Sequence, residues 1–383
     1  MKKLALVTGA AIAVGVFLVT VPTFRHFFDL GVYRGAVRFW LLDGEPLYEY
    51  RYQDSEYGFT YPPFAALVMS PLALTSWPVA IVTSVVVNTA ATLTLLRWWL
   101  GRRAWWITSL LLLAMLMFEP ARDTFSFGQV NLVLLLLVCA DLRTLARGEA
   151  GVRALTGGGR WAGVGIGLAV AIKLTPAVFV LYLLVTRRWR AAAVASGTAA
   201  GATLLAAVLA PDASVAFWTD AVWDTSRVGR LAYVSNQSLR GVIARLELPA
   251  AWWAVLVLAV LTCWFVRVRR ADAVTGFALT GALACLVSPV TWVHHLVWLL
   301  PALFLVRRPW PLWILLSSSV VWLWWADPSG PVAFAGANAY VWIALGLLLF
   351  LPVRRSPDDH PVDGWRSSAR PSVTGHDIDS AVG

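Results

Sequence analysis

Four residues of this 383-residue chain have the types and settings to do chemistry: Asp29, Lys173, His294 and His295. Asp29 stands in His26-Phe-Phe-Asp29-Leu-Gly-Val-Tyr33, directly after an aromatic run that would hold it at a membrane surface. A carboxylate there can act as a general base toward an incoming hydroxyl. The alternative is an N-cap for a helix over 30–42, a position that Asp fills well. Lys173, in Lys173-Leu-Thr-Pro176, separates two apolar stretches that are each short for a membrane span. A lysine within or at the edge of the bilayer is costly and marks a functional site, unless its amine snorkels to the headgroups. His294 and His295 follow Ser288-Pro-Val-Thr-Trp292-Val. Two adjacent histidines cannot face one way on a helix, so one is free to bind substrate while the other packs. Without a third ligand the pair implies no metal.

Other polar groups stand near these four in the predicted topology. Gln129 and Asn131 lie in Phe127-Gly-Gln-Val-Asn131, at the mouth of an almost wholly apolar stretch, where amides bind a substrate or bond to a neighbouring helix. Glu119-Pro-Ala-Arg122-Asp123 precedes them. Tyr33, Arg34, Arg38, the run Gly44 to Tyr48, and Tyr57-Gly-Phe-Thr-Tyr61-Pro-Pro63 share one long polar segment. Ser235-Asn236-Gln237-Ser238-Leu-Arg240 ends a second, and Asn236 to Ser238 also fits a short glycosylation sequon.

The elements that position these groups are membrane helices. The chain is 59% hydrophobic and 14% charged. Its apolar runs approach the roughly 20 residues that cross a hydrocarbon core of about 30 Å. Backbone polar groups inside lipid must be satisfied within the segment, which makes such runs helices. Barrel strands would alternate with period two over roughly ten residues, and Ser109–Phe118 and Leu132–Ala140 do not. The fold class is therefore an all-α polytopic membrane bundle, with eleven to thirteen spans expected. Predicted helices lie near 4–22, 62–97, 105–119, 130–146, 161–172, 175–186, 191–210, 250–267, 273–287, 293–306, 311–325 and 338–353. The 62–97 stretch would be about 54 Å as one helix, too long for a single span. Its prolines at 62, 63, 71 and 78 predict a short piece before the main helix. Residues 1–353 form one transmembrane unit in this reading, with both termini inside. The first helix resembles a signal peptide in its basic start but has no convincing cleavage site. Residues 354–383, rich in Pro, Ser and Asp, read as a disordered cytoplasmic tail.

The formal charge of +10 is explained by topology rather than by nucleic acid. Arg97, Arg102, Arg103, Arg143, Arg187, Arg188, Arg190, Arg267, Arg269, Arg270, Arg307 and Arg308 all fall in connections on one predicted side. An excess of basic residues marks that side as cytoplasmic. The polar groups singled out above then gather on the opposite, extracytoplasmic side, beside a long loop over 23–61. The 22 tryptophans, several paired at span ends, fit an interfacial belt. The three cysteines stand singly in apolar runs and read as packing residues. Gly163-Val-Gly-Ile-Gly167 lies in a membrane helix rather than after a strand, so it is no dinucleotide fingerprint. There is no P-loop and no sign of a nucleotide-sugar domain.

Taken together, these pieces resemble glycosyltransferase family 87, the polyprenyl-phosphate-mannose-dependent α-mannosyltransferases of actinobacteria with the GT-C membrane fold. The resemblance covers residues 27–306. It rests on Asp29-Leu-Gly-Val-Tyr33, Gly44 to Tyr48, Tyr61-Pro-Pro63, Gly128-Gln-Val-Asn131, Lys173-Leu-Thr-Pro176, Asn236-Gln-Ser-Leu239 and Ser288-Pro-Val to His294-His295. It implies inverting, α-(1→2)-type mannosyl transfer with Asp29 as general base. The donor would be a polyprenyl-phosphate-linked sugar and the acceptor a cell-envelope glycan or glycolipid, with membrane lipid around and no cofactor. Lys173, one of His294 and His295, and Arg240 would face the donor phosphate. Tyr33, Tyr61, Gln129, Asn131, Asn236 and Gln237 would line the substrate site. A transporter or flippase also has broken helices, but usually places its charges at mid-membrane in repeated halves. A scaffold subunit would leave the clustered polar groups without a role.

Overall fold

The computed structural model describes residues 1–21, 24–53, 55–149, 159–326 and 330–353, and the tail expected over 354–383 lies outside them. The described chain is helical: α1 (Lys2–Thr20), α2 (Phe28–Leu41), α3 (Pro63–Met69), α4 (Trp77–Leu100), α5 (Trp105–Met117), α6 (Glu119–Phe127), α7 (Asn131–Glu149), α8 (Val164–Ile172) and α9 (Ala177–Val185). It continues with α10 (Trp189–Leu209), α11 (Pro211–Ala216), α12 (Leu239–Arg245), α13 (Ala251–Val268), α14 (Ala273–Val287), α15 (Leu300–Leu303), α16 (Trp310–Ser317), α17 (Pro331–Ala337) and α18 (Ala339–Phe350). Tighter helical turns occupy Leu47–Glu49, Ser70–Leu74, Val293–Leu299 and Val320–Trp324.

Among the described residues α1, α4, α10 and α13 are each long and apolar enough to cross a membrane. The count reaches six if the bent pairs α6–α7 and α17–α18 are each one span. The remaining expected spans are shorter helices, ended by prolines, glycines and tight turns. The stretch over 62–97 divides as its prolines predict, into α3, a tight turn and α4. The span expected over 293–306 instead begins as a tight turn and becomes α-helical at Leu300.

Burial explains how short helices persist. Thirteen of the fifteen residues of α14 are buried, so it is enclosed by protein on all sides. Around it pack α7, α9, α13, α15 and α18. The long helices form the apolar exterior, with Leu204, Val208, Val255 and Leu258 more than half exposed, as expected for surfaces solvated by lipid.

Helix α8 is held unusually close to its neighbours by the glycine run. A Cβ on Gly163 would meet Ala191 O at 2.3 Å, and one on Gly167 would meet Ala195 O at 2.5 Å, both on α10. A Cβ on Gly165 would meet Leu137 O on α7 at 2.2 Å. Small residues let backbones approach where lipid provides no hydrophobic drive for association. The run that fails as a dinucleotide motif is a packing motif.

A second buried cluster sits outside the main one. It joins Val32, Tyr33, Val37, Leu47, Tyr48, Phe59, Tyr61, Met69 and Phe217, so the long polar segment after α1 has its own apolar core. Arg34 Nε donates to Thr75 O at 3.1 Å and Arg38 Nη1 to Ala73 O at 2.8 Å, strapping α2 to the turn before α4. Val130 and Ile172 touch both clusters. Each adjoins a polar residue of interest, Gln129 and Asn131 on one side and Lys173 on the other, and so places these residues at the seam.

Candidate active site

At this seam lies a cavity of about 480 Å³ whose walls include Asp29, Tyr33, Tyr61, Gln129, Lys173, His294 and His295. Helix α2 brings Asp29 there. The helix N-cap is Phe27, with no side-chain cap bond, and Asp29 stands in the first turn. It therefore does not cap the helix as the alternative reading had it. Its Oδ2 accepts from Gln129 Nε2 at 2.7 Å, which leaves Oδ1 with no hydrogen bond among the described residues.

Gly128 makes that contact possible. It ends α6 at φ 72°, in the left-handed region, and a Cβ there would lie 2.6 Å from Leu30 Cβ. Gly128→Ala combines that clash with a strained backbone, a cost of roughly 1–3 kcal/mol, and the relief available is for α2 to move away. We expect about a tenfold loss of activity in membranes that hold normal amounts of the protein. Unchanged turnover would show that α2 tolerates the displacement.

A hydrogen-bonded chain runs on from Gln129. Its Oε1 accepts from Tyr61 Oη at 2.9 Å. Since Tyr61 gives its proton to Gln129, Tyr33 donates to the Tyr61 oxygen, at 2.9 Å. Lys173 Nζ donates to the same oxygen at 3.1 Å and to Asn131 Oδ1 at 3.1 Å. Lys173 is the C-cap of α8, beyond the last helical residue and before Pro176, in extended backbone that aims its side chain inward. Asn131 opens α7, and its Nδ2 donates to His294 O at 3.3 Å.

His295 completes the amine's surroundings, with Nε2 2.8 Å from Lys173 Nζ. Its Nδ1 accepts Trp292 N–H at 3.1 Å, so a neutral ring carries its proton on Nε2 and donates to the amine. Lys173 then gives two protons, to Tyr61 and Asn131, and accepts one from His295. That arrangement fits an uncharged amine. An anion that takes the place of His295 at this nitrogen would call for the ammonium, which has three protons to give and no lone pair to accept one. Burial lowers the Lys173 amine to about 7, opposed by the charge of Asp29. Burial likewise raises the Asp29 carboxyl to about 6, against the Gln129 bond and the Lys173 charge. Asp29 and Lys173 both keep some exposed surface through the cavity.

His294 is 4% exposed, lines the cavity, and its Nε2 has no hydrogen-bond partner. A buried polar atom of this kind calls for a partner that the protein does not supply. Arg25, which the sequence reading passed over, also lines the cavity, its guanidinium 4.5 Å from the Trp322 ring centroid and 3.8 Å from Asp123. A cation within an aromatic run at the end of a span was the signal available for it.

Three sequence candidates lie behind the site rather than in it. Asn236 Oδ1 accepts from Thr291 N at 2.9 Å, and its Nδ2 donates to Leu231 O and Pro289 O. Gln237 Nε2 donates to Val234 O and Ala337 O, while its Oε1 accepts from Tyr340 N and Val341 N. Both are fully buried, which closes the sequon; the Asn236 amide braces the turn before His294, and the Gln237 amide braces the join of α17 and α18. Arg240 lies against Trp253, 5.8 Å from its ring centroid, outside the cavity lining. Glu119 likewise serves the framework, accepting from Trp322 Nε1 at 2.6 Å and from Tyr340 Oη. Among the described residues no group of three His, Cys, Asp or Glu side chains could hold a metal ion.

This is a membrane-embedded bundle with a carboxylate, an amine and two imidazoles turned into a shared cavity. The profile of glycosyltransferase family 87 matches residues 59–289. That span contains Tyr61, Gln129, Asn131 and Lys173, while Asp29, His294 and His295 fall outside it. A polyprenol-phosphate-mannose-dependent α-(1-2)-phosphatidylinositol mannoside mannosyltransferase of Mycolicibacterium smegmatis is 37% identical over 313 residues, covering 72% of this chain and 68% of the relative. A Mycobacterium tuberculosis protein of the same description is 35% identical over 375 residues, 84% and 83% of the two chains. A phosphatidylinositol pentamannoside mannosyltransferase of M. smegmatis is 33% identical over 302 residues, 73% and 69%. No solved structure matches the chain. The chain belongs to glycosyltransferase family 87, and it is a glycosyltransferase.

Proposed function

We infer that the protein transfers mannose, with inversion, from a polyprenyl-phosphate donor to a hydroxyl of a mannosylated phosphatidylinositol or related envelope glycolipid, at the extracytoplasmic face. The observation that carries this reading is the hydrogen-bonded path from Asp29 through Gln129 and Tyr61 to Lys173 and His295 around one cavity. The relatives' descriptions supply the donor and the acceptor class. The basic connections supply the orientation, since they would lie on the cytoplasmic side.

Asp29 Oδ1 takes the proton of the acceptor hydroxyl as that oxygen attacks the anomeric carbon. The bond from that carbon to the phosphate oxygen breaks on the opposite side, turning a β-linked donor into an α product. The departing lipid phosphate gains charge, and Lys173, as its ammonium, meets it. His294, with its proton on Nε2, adds a donor. Fixed cations and donors aimed at developing charge are worth more in a closed site than in water.

Two ionisations then bound the activity. Asp29 must be unprotonated, so kcat/KM rises with pH through about 6. Lys173 must be protonated, so kcat/KM falls as pH passes about 7. A bell with those limbs is expected, and bound donor phosphate should carry the upper limb of kcat to higher pH. A profile flat from pH 5 to 8 would remove both assignments.

The direct test is transfer of radiolabelled mannose from a polyprenyl-phosphate donor, in membranes holding the protein, to phosphatidylinositol mannosides. Label in the glycolipid is the expected result. Label that crosses the vesicle wall without transfer would instead indicate a carrier.

A further inference from the structure

Beside the cavity runs a second hollow, an apolar groove of about 400 Å³ on the lipid-facing side of α8 and α10. It adjoins the cavity at two residues common to both walls, Pro62 and Leu174. Leu174 directly follows Lys173, and Phe217 of the cavity directly precedes Trp218 of the groove. Its floor is the small-residue face of α10, Ala199, Ala200 and Thr203, beside Ala171 of α8. On the same helix Leu204 stands at the end of this floor as part of the groove wall, and the bulky exposed side chains Leu205, Val208 and Leu209 follow it. The close approach of α8 to α10 at Gly163 and Gly167 makes this floor continuous.

We propose that this groove holds the isoprenoid chain of the lipid-linked donor, leading from the phosphate at Lys173 past Pro62 and Leu174 onto Ala199, Ala200 and Thr203. The proposal rests on the donor reading given above. A branched hydrocarbon with a methyl at every fourth backbone carbon suits a floor of alanines, where a bulky side chain would fill the space. The placement also keeps the tail in hydrocarbon while the phosphate sits among polar groups, so neither part crosses a medium that it does not suit.

The test compares mannosyl-phosphate donors of different chain length in the reconstituted full-length protein. A donor with one isoprenoid unit ends at Pro62 and Leu174, whereas a ten-unit donor runs on across Ala200. Ala200→Trp should lower kcat/KM for the ten-unit donor at least tenfold and leave that of the one-unit donor within twofold. Equal losses on both donors, or none on either, would overturn the proposal.

A wild-type measurement guards against a variant that fails to fold. A polyprenyl phosphate bearing a diazirine on its third unit should crosslink to the 199–204 segment, and excess unlabelled polyprenyl phosphate should suppress the labelling. Label elsewhere, or label suppressed equally well by vesicles of phosphatidylglycerol, would assign the groove to bulk lipid. Wild-type protein that transfers mannose from neither donor would instead sink the donor reading itself.

Discussion

Asp29→Asn should cut mannosyl transfer by about a thousandfold while leaving the amount of inserted protein unchanged, within the range of about 10² to 10⁴ attributed to positioned acid–base groups. The substitution is isosteric and keeps an oxygen that can accept from Gln129 Nε2, as Oδ2 does now. The framework therefore has little reason to move. What disappears is the basic oxygen, and with it a destination for the hydroxyl proton. A variant that still binds donor but fails in transfer would separate chemistry from binding. Near-normal transfer by Asp29→Asn would end the general-base assignment. Asp29→Ala should behave alike in rate but lose the Gln129 contact as well.

Lys173→Met is the second large effect. It keeps an unbranched apolar stem and removes the only side-chain amine among the residues lining the cavity. Loss of one fixed donor at a developing charge is worth about 10² to 10³ in turnover. We expect a fall of that size in kcat together with a raised KM for the lipid donor, and little change in the KM for the acceptor. A lysine that merely snorkelled would give another result, because replacing it would leave turnover intact. Its present partners argue against snorkelling, since Tyr61, Asn131 and His295 turn the amine inward rather than toward headgroups. The upper limb of the pH profile should vanish in the same variant, a change that mere loosening of the fold would not produce.

How much of this was legible beforehand differed from one residue to another. Lys173 stood out because an amine between apolar half-helices is too costly to keep without a use, and Asp29 gained its prominence from an aromatic run and a family pattern. Gln129 and Asn131 were balanced between substrate binding and bonding to a neighbouring helix. The structure shows protein bonds for both, with Gln129 tied to Asp29 and Asn131 tied to Lys173. Asn236 and Gln237 were expected to line the substrate site, and the structure gives both amides protein partners, because an amide shows the same face in sequence whether it meets a ligand or the backbone. Only the positions of Thr291, Ala337, Tyr340 and Val341 settle which, and these lie far along the chain. Span positions near 105–119, 191–210, 250–267 and 273–287 were readable from hydropathy. The broken elements were less so: the span expected over 293–306 begins as the tight turn Val293–Leu299, most of whose residues are buried in protein and need no continuous helix of bilayer length.

The bonds that define the site also set when it can exist during synthesis. Gln129 meets a partner 100 positions earlier, Lys173 meets Tyr61 across 112, and His295 reaches back 122 to Lys173. Contacts so distant in sequence form only after the intervening helices have been inserted and docked. A nascent chain that has not yet released the turn over Val293–Leu299 has its carboxylate and its amine but not the imidazoles that complete the amine's surroundings. A product that ends before this turn therefore lacks the His295 contact to Lys173, whereas every residue of the proposed site is in place well before the last residue is added.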